Sequence, residues 1–442
     1  MKVRNFLSLL ITTCCLVIVF FNVRSTILTQ NSCSLLSLEQ LNQFNKAFSI
    51  IKNNYIENID DDVMINNAIS GMLSNLDPHS SYLGDDEYSY IQSVTCGEFG
   101  GLGIEVSIDK GILKVISAIE GAPAYKSGIL SGDHIIKIGN TLTQGMTLND
   151  SIRMMRGDSG SSVILTISRK GYEKPITFKI CRDIIKINSV RGNIIRENIL
   201  YLRIKHFQEK TVEEILEQLN KITNSSKIFN GLILDLRDNP GGLLSSAVEV
   251  SGIFLPQNTL IVSTHGRAIN SSYDYFSYSD EYYSMFCKEW RDFLKNTPMI
   301  VLVNSGSASA SEIVAGAMQD HNRAKILGDR TFGKGSVQTI LPLSDSSAIK
   351  LTTSRYFTPQ GKSIQARGIY PDYRVSDSRQ ENIFIKREVD LKSHLYNSQE
   401  MLLDNNVEDN LYLGDFFDLG NKHDLQLTKA INIISGLQLE EF

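Results

Sequence analysis

Between Leu35 and Leu76 apolar residues recur at three- and four-residue intervals, with Leu41, Phe44, Phe48 and Ile51 on one stripe. That is the period of amphipathic helices, so residues 35–95 are expected to form an N-terminal helical segment. From Cys96 to about Arg182 the pattern shortens to the runs GLGIEV, GILKVISAI, HIIKIG, SVILTIS and ITFKI, broken by glycine turns. Short strands at this spacing predict a small, mainly-β domain over residues 96–182, with one helix at Asn149–Met155. Beyond it the two periods alternate: strands at Ile199–Phe207, Gly231–Leu236 and Met299–Val303, helices at Val212–Ile222, Leu244–Phe254 and after Glu312. Alternation of this kind predicts an α/β core over residues 183–372, a parallel-rich sheet with helices. Ser271–Trp290, rich in tyrosine, serine and acidic residues, reads as a loop or lid insertion. The C-terminal segment, residues 373–442, is more polar and carries one clear helical pattern at Leu425–Leu437.

The first 30 residues change the picture of where this body sits. Lys2 and Arg4 precede an apolar run from Phe6 to Phe21, long for a signal-peptide core and slightly short for a comfortable span. Either reading, cleaved peptide or signal anchor, exports the rest of the chain, so the expectation is a bacterial periplasmic location with membrane contact through residues 6–21. The chain has 442 residues and a net charge of −5, which gives room for two or three domains and no basic field for nucleic acid. Six cysteines are scattered without a CxxC pair, which argues against a zinc site and allows at most one incidental disulfide.

Chemistry concentrates in two segments. Asn304–Glu312, NSGSASASE, comes directly after the Met299–Val303 run, so a hydroxyl is presented at a strand-to-helix turn. Ser309 with Glu312 also fits a capping box, which would make the serine an ordinary cap. The second segment, Phe332 to Gln338 (FGKGSVQ), holds Lys334 between glycines. A cap does not explain this lysine, whereas a desolvated lysine of lowered pKa can serve as base for a serine without any histidine. Gln338 falls on the same side of an extended strand as Lys334 if side chains alternate. Gly328–Lys334 nearly completes a phosphate-binding loop, but Gly335 stands where that pattern needs Ser or Thr. Gly157–Ser161 mimics the surroundings of a trypsin-like nucleophile, yet it lies in the small β domain with no matching histidine and aspartate upstream. His79 and His321 read as structural and surface residues. Asp235–Gly242 ends in two glycines, which would keep side chains away from a backbone donor.

Taken together, SASASE, FGKGSVQ and DLRDNPGG, with LDPHSSYL at Leu76–Leu83 and the glycine-rich Gly101–Ile104, resemble the carboxy-terminal processing proteases, also called tail-specific proteases. The likeness runs from about Leu76 to Asp372 in the family's order, and the strand count of residues 96–182 resembles an inserted PDZ domain. The resemblance implies Ser309 as nucleophile, Lys334 as general base, Gln338 as the group orienting the lysine, and the backbone N–H groups of Gly242 and Ala310 as oxyanion donors. It also implies that Gly101, Leu102, Gly103 and Ile104 hold the carboxylate of a substrate tail. The expected function is an exported serine endopeptidase, without cofactor or metal, acting on protein or peptide substrates with apolar C-termini. Homo-oligomerisation is left open. The rival readings are a PDZ scaffold on a decayed protease core and a nucleotide-binding protein, which ATP affinity would reveal.

Overall fold

The computed structural model describes residues 36–109, 111–223, 229–268, 271–279, 290–376, 386–397, 399 and 424–436. The chain divides into two compact units after Ile69. The first contains the helix Leu38–Asn54, whose start is fixed by Ser37 and Gln40: each side chain bonds the other's backbone N–H. A second helix, Asp61–Ser74, leads into the larger unit.

The larger unit is built on a six-stranded sheet. Its strands lie in the order Val190–Ile195, Ile199–Ile204, Gly231–Asp235, Met299–Val303, Lys325–Gly328 and Tyr373–Arg374. All neighbours are parallel except the first pair. Side chains alternate between the faces of a strand, and the central runs Leu232–Leu234 and Met299–Val303 are apolar at every position because both faces are covered. Leu232, Leu234, Val301 and Val303 pack on one side with Ile215, Leu219, Val250 and Val314 of three helices, Thr211–Thr223, Leu244–Phe254 and Ala310–Asp320. Ile233, Ile300, Leu302 and Leu327 turn to the other side, where Leu427 and Ala430 cover them. These two belong to the helix Leu425–Ile434, so the far C-terminal pattern supplies one layer of the core.

That helix is also held by charge. Arg237, at the end of a central strand and 1% exposed, donates to both carboxylate oxygens of Asp235 and of Asp424 and to Gln426 Oε1. A buried guanidinium is tolerable only with its donors matched in this way.

A five-stranded antiparallel sheet, absent from the expectation of one α/β layer, stands beside the first. Its long strand Ser347–Phe357 pairs with Ser336–Ser344, Ser81–Leu83 and Leu260–Gly266. Tyr273–Phe276 adds to the edge of Leu260–Gly266, which corrects the expectation of a loop from Ser271 to Trp290: its first part is a strand, and residues 280–289 lie outside the described residues.

Between Ile104 and Cys181 the chain forms a separate antiparallel sheet with its own core of Leu113, Val115, Ile135, Leu165 and Ile167, flanked in sequence by Glu98–Gly101 and Asp183–Lys186, which pair as a two-stranded sheet. Its helix Leu148–Met155 begins at Thr147, whose hydroxyl accepts from Asp150 N–H. Gly157–Ser161 joins this helix to the strand Ser162–Ser168 as a turn. Cys96 and Cys181 are free and exposed; Cys14, Cys15, Cys33 and Cys287 lie outside the described residues, as does the apolar run 6–21. Among the described residues no helix is long and apolar enough to cross a membrane, and no cluster of His, Cys, Asp or Glu is suited to a metal ion.

Candidate active site

The site forms at the carboxyl end of the strand Met299–Val303, where the loops leaving two neighbouring parallel strands meet. Open α/β sheets place their sites there because the chain must turn away from the sheet. The Asn304–Ser309 loop is laced to Leu236–Gly241. Asn304 Oδ1 accepts from Asp238 N–H at 2.9 Å, and Asn304 Nδ2 donates to Asp238 Oδ1 at 2.7 Å. Ser307 Oγ donates to Leu236 O at 2.7 Å, and Ser311 Oγ to Asn239 O at 2.8 Å. The serine-rich sequence thereby sorts itself: Ser307 and Ser311 spend their hydroxyls on the neighbouring loop.

Ser309 does not. Its backbone is at φ 55°, ψ −113°, a conformation that costs about 1–3 kcal/mol for a residue with a Cβ and is held by the lacing around it. Half of the capping box is present, since Ser309 N–H donates to Glu312 Oε2 at 2.8 Å, while the Ser309 hydroxyl makes no cap bond. The cap is thus made by the glutamate, which leaves the serine oxygen to the cleft. Gly241 must be glycine for this approach: at φ +107°, a Cβ there would lie 2.8 Å from Ser309 Cβ and 2.8 Å from Ala308 O.

Glu312 does more than cap. Fully buried, it accepts from Ser309 N–H, Gly333 N–H at 2.7 Å, Lys334 N–H at 2.9 Å and the Thr331 hydroxyl. One carboxylate therefore fixes the serine turn and the lysine loop to each other. Burial raises its pKa to about 7, with the four donors pulling the other way. The lysine loop is also closed by Gly335, where a Cβ would lie 2.5 Å from Gln365 N.

Ser309, Lys334, Gln338, Gly242 and Ala310 all line one cleft of about 460 Å³. Burial, and after it the charge of Lys350, lower the Lys334 pKa to about 8. The N–H groups of Gly242 and Ala310 donate no hydrogen bond among the described residues, so both are available to an oxygen in the cleft. Gly242 reaches this position at φ +144° with its backbone against Phe207, where a Cβ would lie 2.1 Å from Phe207 O.

Gln338 reaches the cleft by a different route from the one its spacing suggested. Lys334 precedes the strand Ser336–Ser344, so alternation along that strand does not by itself extend to the lysine, and the register shift beside Gln338 places its extra residue, Thr353, in the partner strand. The Gln338 amide donates to Ser336 Oγ at 3.0 Å and Thr352 Oγ1 at 3.2 Å. Tyr356, whose buried hydroxyl faces the Ser309 side chain without forming a well-aligned hydrogen bond, also lines the cleft, as does Lys350. Neither stood out in the sequence: each lies in an ordinary strand pattern, and only the pairing of Ser347–Phe357 with Ser336–Ser344 brings it here. His79 instead pairs with buried Glu388 at 2.8 Å, and His321 caps the Ala310–Asp320 helix at the surface.

In the small β domain, Gly101 ends one strand and Ile104 begins the next. Gly103 is at φ +71°, and a Cβ there would meet Ala122 Cβ at 2.3 Å. The Leu102 and Gly103 N–H groups make no backbone hydrogen bond among the described residues, which leaves a short run of donors at the loop.

Comparison with known proteins agrees with this division of the chain. Residues 198–375 match the description "Peptidase family S41", residues 114–169 "PDZ domain", and residues 22–87 "Activating protease CtpB N-terminal domain". A carboxy-terminal-processing protease of Bartonella bacilliformis is 42% identical over 406 residues, 90% of this chain and 89% of that protein. The carboxy-terminal processing protease CtpA of Bacillus subtilis is 34% identical, covering 80% of this chain and 73% of its own. Among solved structures, a photosystem II D1 C-terminal processing protease is 27% identical with a TM-score of 0.43, covering 77% of this chain and 94% of that one.

Proposed function

This chain belongs to the carboxy-terminal processing proteases of peptidase family S41 and is a serine-type peptidase, and we propose that it cleaves through a Ser309–Lys334 dyad with an acyl-enzyme intermediate. The observation that carries this is a serine turned out of its own helix cap into a cleft shared with a lysine of lowered pKa. Neutral Lys334 takes the Ser309 proton as the oxygen adds to the scissile carbonyl. The oxyanion forms against the N–H groups of Ala310 and Gly242, the first at the positive end of a helix dipole. The leaving amine takes the proton from Lys334. Water then adds to the ester, giving its proton to the lysine, and Lys334 passes that proton to Ser309 Oγ as the serine departs and the acid is released. Gln338 orients the lysine.

The PDZ domain selects the substrate by its end. The N–H groups about Gly101–Ile104 hold a terminal carboxylate, and an apolar last side chain enters the groove beside the helix Leu148–Met155. Energy from the bound tail then supports cleavage at a distant bond. We assign the body to the periplasm of a bacterium, with residues 6–21 contacting the inner membrane, because a basic start and an apolar run precede it.

Digestion of an unfolded protein with an apolar free C-terminus tests the reading. Wild type cleaves it and takes a serine-directed covalent label at Ser309 only; Ser309→Ala loses at least about 10⁴-fold in rate with its fold intact. Turnover by Ser309→Ala, or labelling at Ser307 or Ser311, overturns the assignment.

A further inference from the structure

The DPHSS turn lies more than 250 residues before the catalytic lysine in sequence, yet it contacts the strand that carries Thr352. Asp77 is 5% exposed and accepts four hydrogen bonds. Its Oδ1 accepts from His79 N–H at 2.8 Å, Ser80 N–H at 3.0 Å and Thr352 Oγ1 at 3.1 Å, and its Oδ2 accepts from Ser80 Oγ at 2.6 Å. Ser80 Oγ in turn accepts from Thr352 N–H at 3.1 Å. Burial pushes the Asp77 pKa up, but these hydrogen bonds outweigh it and hold the group below its ordinary value. It is an anion, able only to accept.

We propose that Asp77, acting through Thr352, is a positioning residue that fixes which way round the Gln338 amide faces and thereby presents its oxygen to Lys334. A threonine hydroxyl has one proton. Since that proton goes to Asp77, the Thr352 oxygen is left as an acceptor, and the side it turns to Gln338 is met by the amide nitrogen at 3.2 Å. The second amide hydrogen goes to Ser336 Oγ at 3.0 Å. With both hydrogens of the amide directed to hydroxyls, Oε1 remains as the acceptor for an ammonium or amine in the cleft that Gln338 and Lys334 both line. A reversed amide would set oxygen against an oxygen whose proton is already committed, and would turn two N–H donors toward a lysine that also has only donors when charged. The carboxylate thus settles an orientation that shape alone, equal for the two ends of an amide, leaves open.

The proposal rests on the reading of Lys334 as base and Gln338 as its orienter. Lys334 also lies in the field of Lys350, Glu388, Glu312 and Asp77 itself, so replacing Asp77 would alter charge as well as orientation. Thr352→Val avoids this, because it keeps shape and leaves the Asp77 charge in place.

We expect Thr352→Val to lower kcat about 10- to 100-fold with KM within about twofold, as befits a misplaced base rather than lost substrate binding. The acid limb of its pH–rate profile moves to lower pH, because protonated Lys334 loses an acceptor; a merely structural defect would lower the plateau without moving the limb. Thr352→Ser, which keeps the hydroxyl, recovers most of the loss. Combined with Gln338→Ala, Thr352→Val produces no further fall in kcat, since both act on one step. Impaired Gln338→Ala beside a normal Thr352→Val overturns the relay alone, as do losses that multiply in the double variant. A fully active Gln338→Ala or Lys334→Arg overturns the underlying lysine–amide reading and the relay with it.

Discussion

At the scale of single residues, the balance between burial and hydrogen bonding decides what each charged group of the cleft can do. Lys334 must be neutral to take a proton, and with a pKa lowered to about 8 its neutral fraction grows as pH rises through that value. Activity should therefore climb between about pH 7 and pH 9, measured as kcat/KM against a peptide substrate. Burial raises the Glu312 pKa, to about 7, against the pull of its four hydrogen-bond donors. Lys334→Arg keeps the charge but cannot deprotonate in this range, and should be inactive in the same assay. Lys350→Met removes the neighbouring charge that helps to lower the Lys334 pKa, so the rising limb should move to higher pH while the plateau is less affected. An unmoved limb would show that burial alone sets the value.

At the scale of elements, stability and catalysis depend on joints that are remote in sequence. Arg237→Met would leave Asp235 and Asp424 as buried carboxylates without their guanidinium. Breaking such a pair from one side typically costs about 3–5 kcal/mol, so a lowered urea midpoint is expected, with early loss of the Leu425–Ile434 helix seen by hydrogen exchange. Gly241→Ala is a sharper case, because its methyl would meet both Ala308 O and Ser309 Cβ. The serine turn must shift, and covalent labelling of Ser309 should fall with activity while the thermal transition persists. Labelling at the wild-type rate would mean that the turn accommodates a side chain after all.

At the scale of the whole molecule, a PDZ domain and a peptidase core lie in one chain, and the proposed function makes the first control the second. Amidating a substrate's C-terminus removes the charge that the Gly101–Ile104 donors would hold, and an aspartate as last residue places a charge in an apolar pocket. Both should slow cleavage of long substrates, with Ser309 labelling unchanged. Equal rates for free-acid, amidated and aspartate-ended forms would leave the peptidase chemistry standing and end selection by the tail.

The sequence by itself determined the elements whose burial is one-sided or complete along a contiguous run. Met299–Val303 and Leu244–Phe254 have in the structure the bounds their patterns predict, because period and flanking turn residues act locally. The turn chemistry of NSGSASAS and the glycines about Lys334 were equally legible, since a close backbone approach leaves a mark in residue type. What the tertiary structure alone decided is which side chains meet. Alternation does not reach Lys334, which lies before the strand that carries Gln338, and no local signal ties Asp77 to Thr352 or Asp424 to Arg237. The Leu425–Ile434 helix was legible as a pattern, but the polar character of the segment around it gave no sign that it covers the second face of the sheet. Glu312 read as a cap because its nearest partner is local, while Gly333 and Lys334, which it also holds, arrive from a separate loop. Hydrogen bonds and ion pairs between distant segments carry no period. They are fixed only when strand pairing has closed the loops between them, and closing those loops is work that the tertiary fold performs.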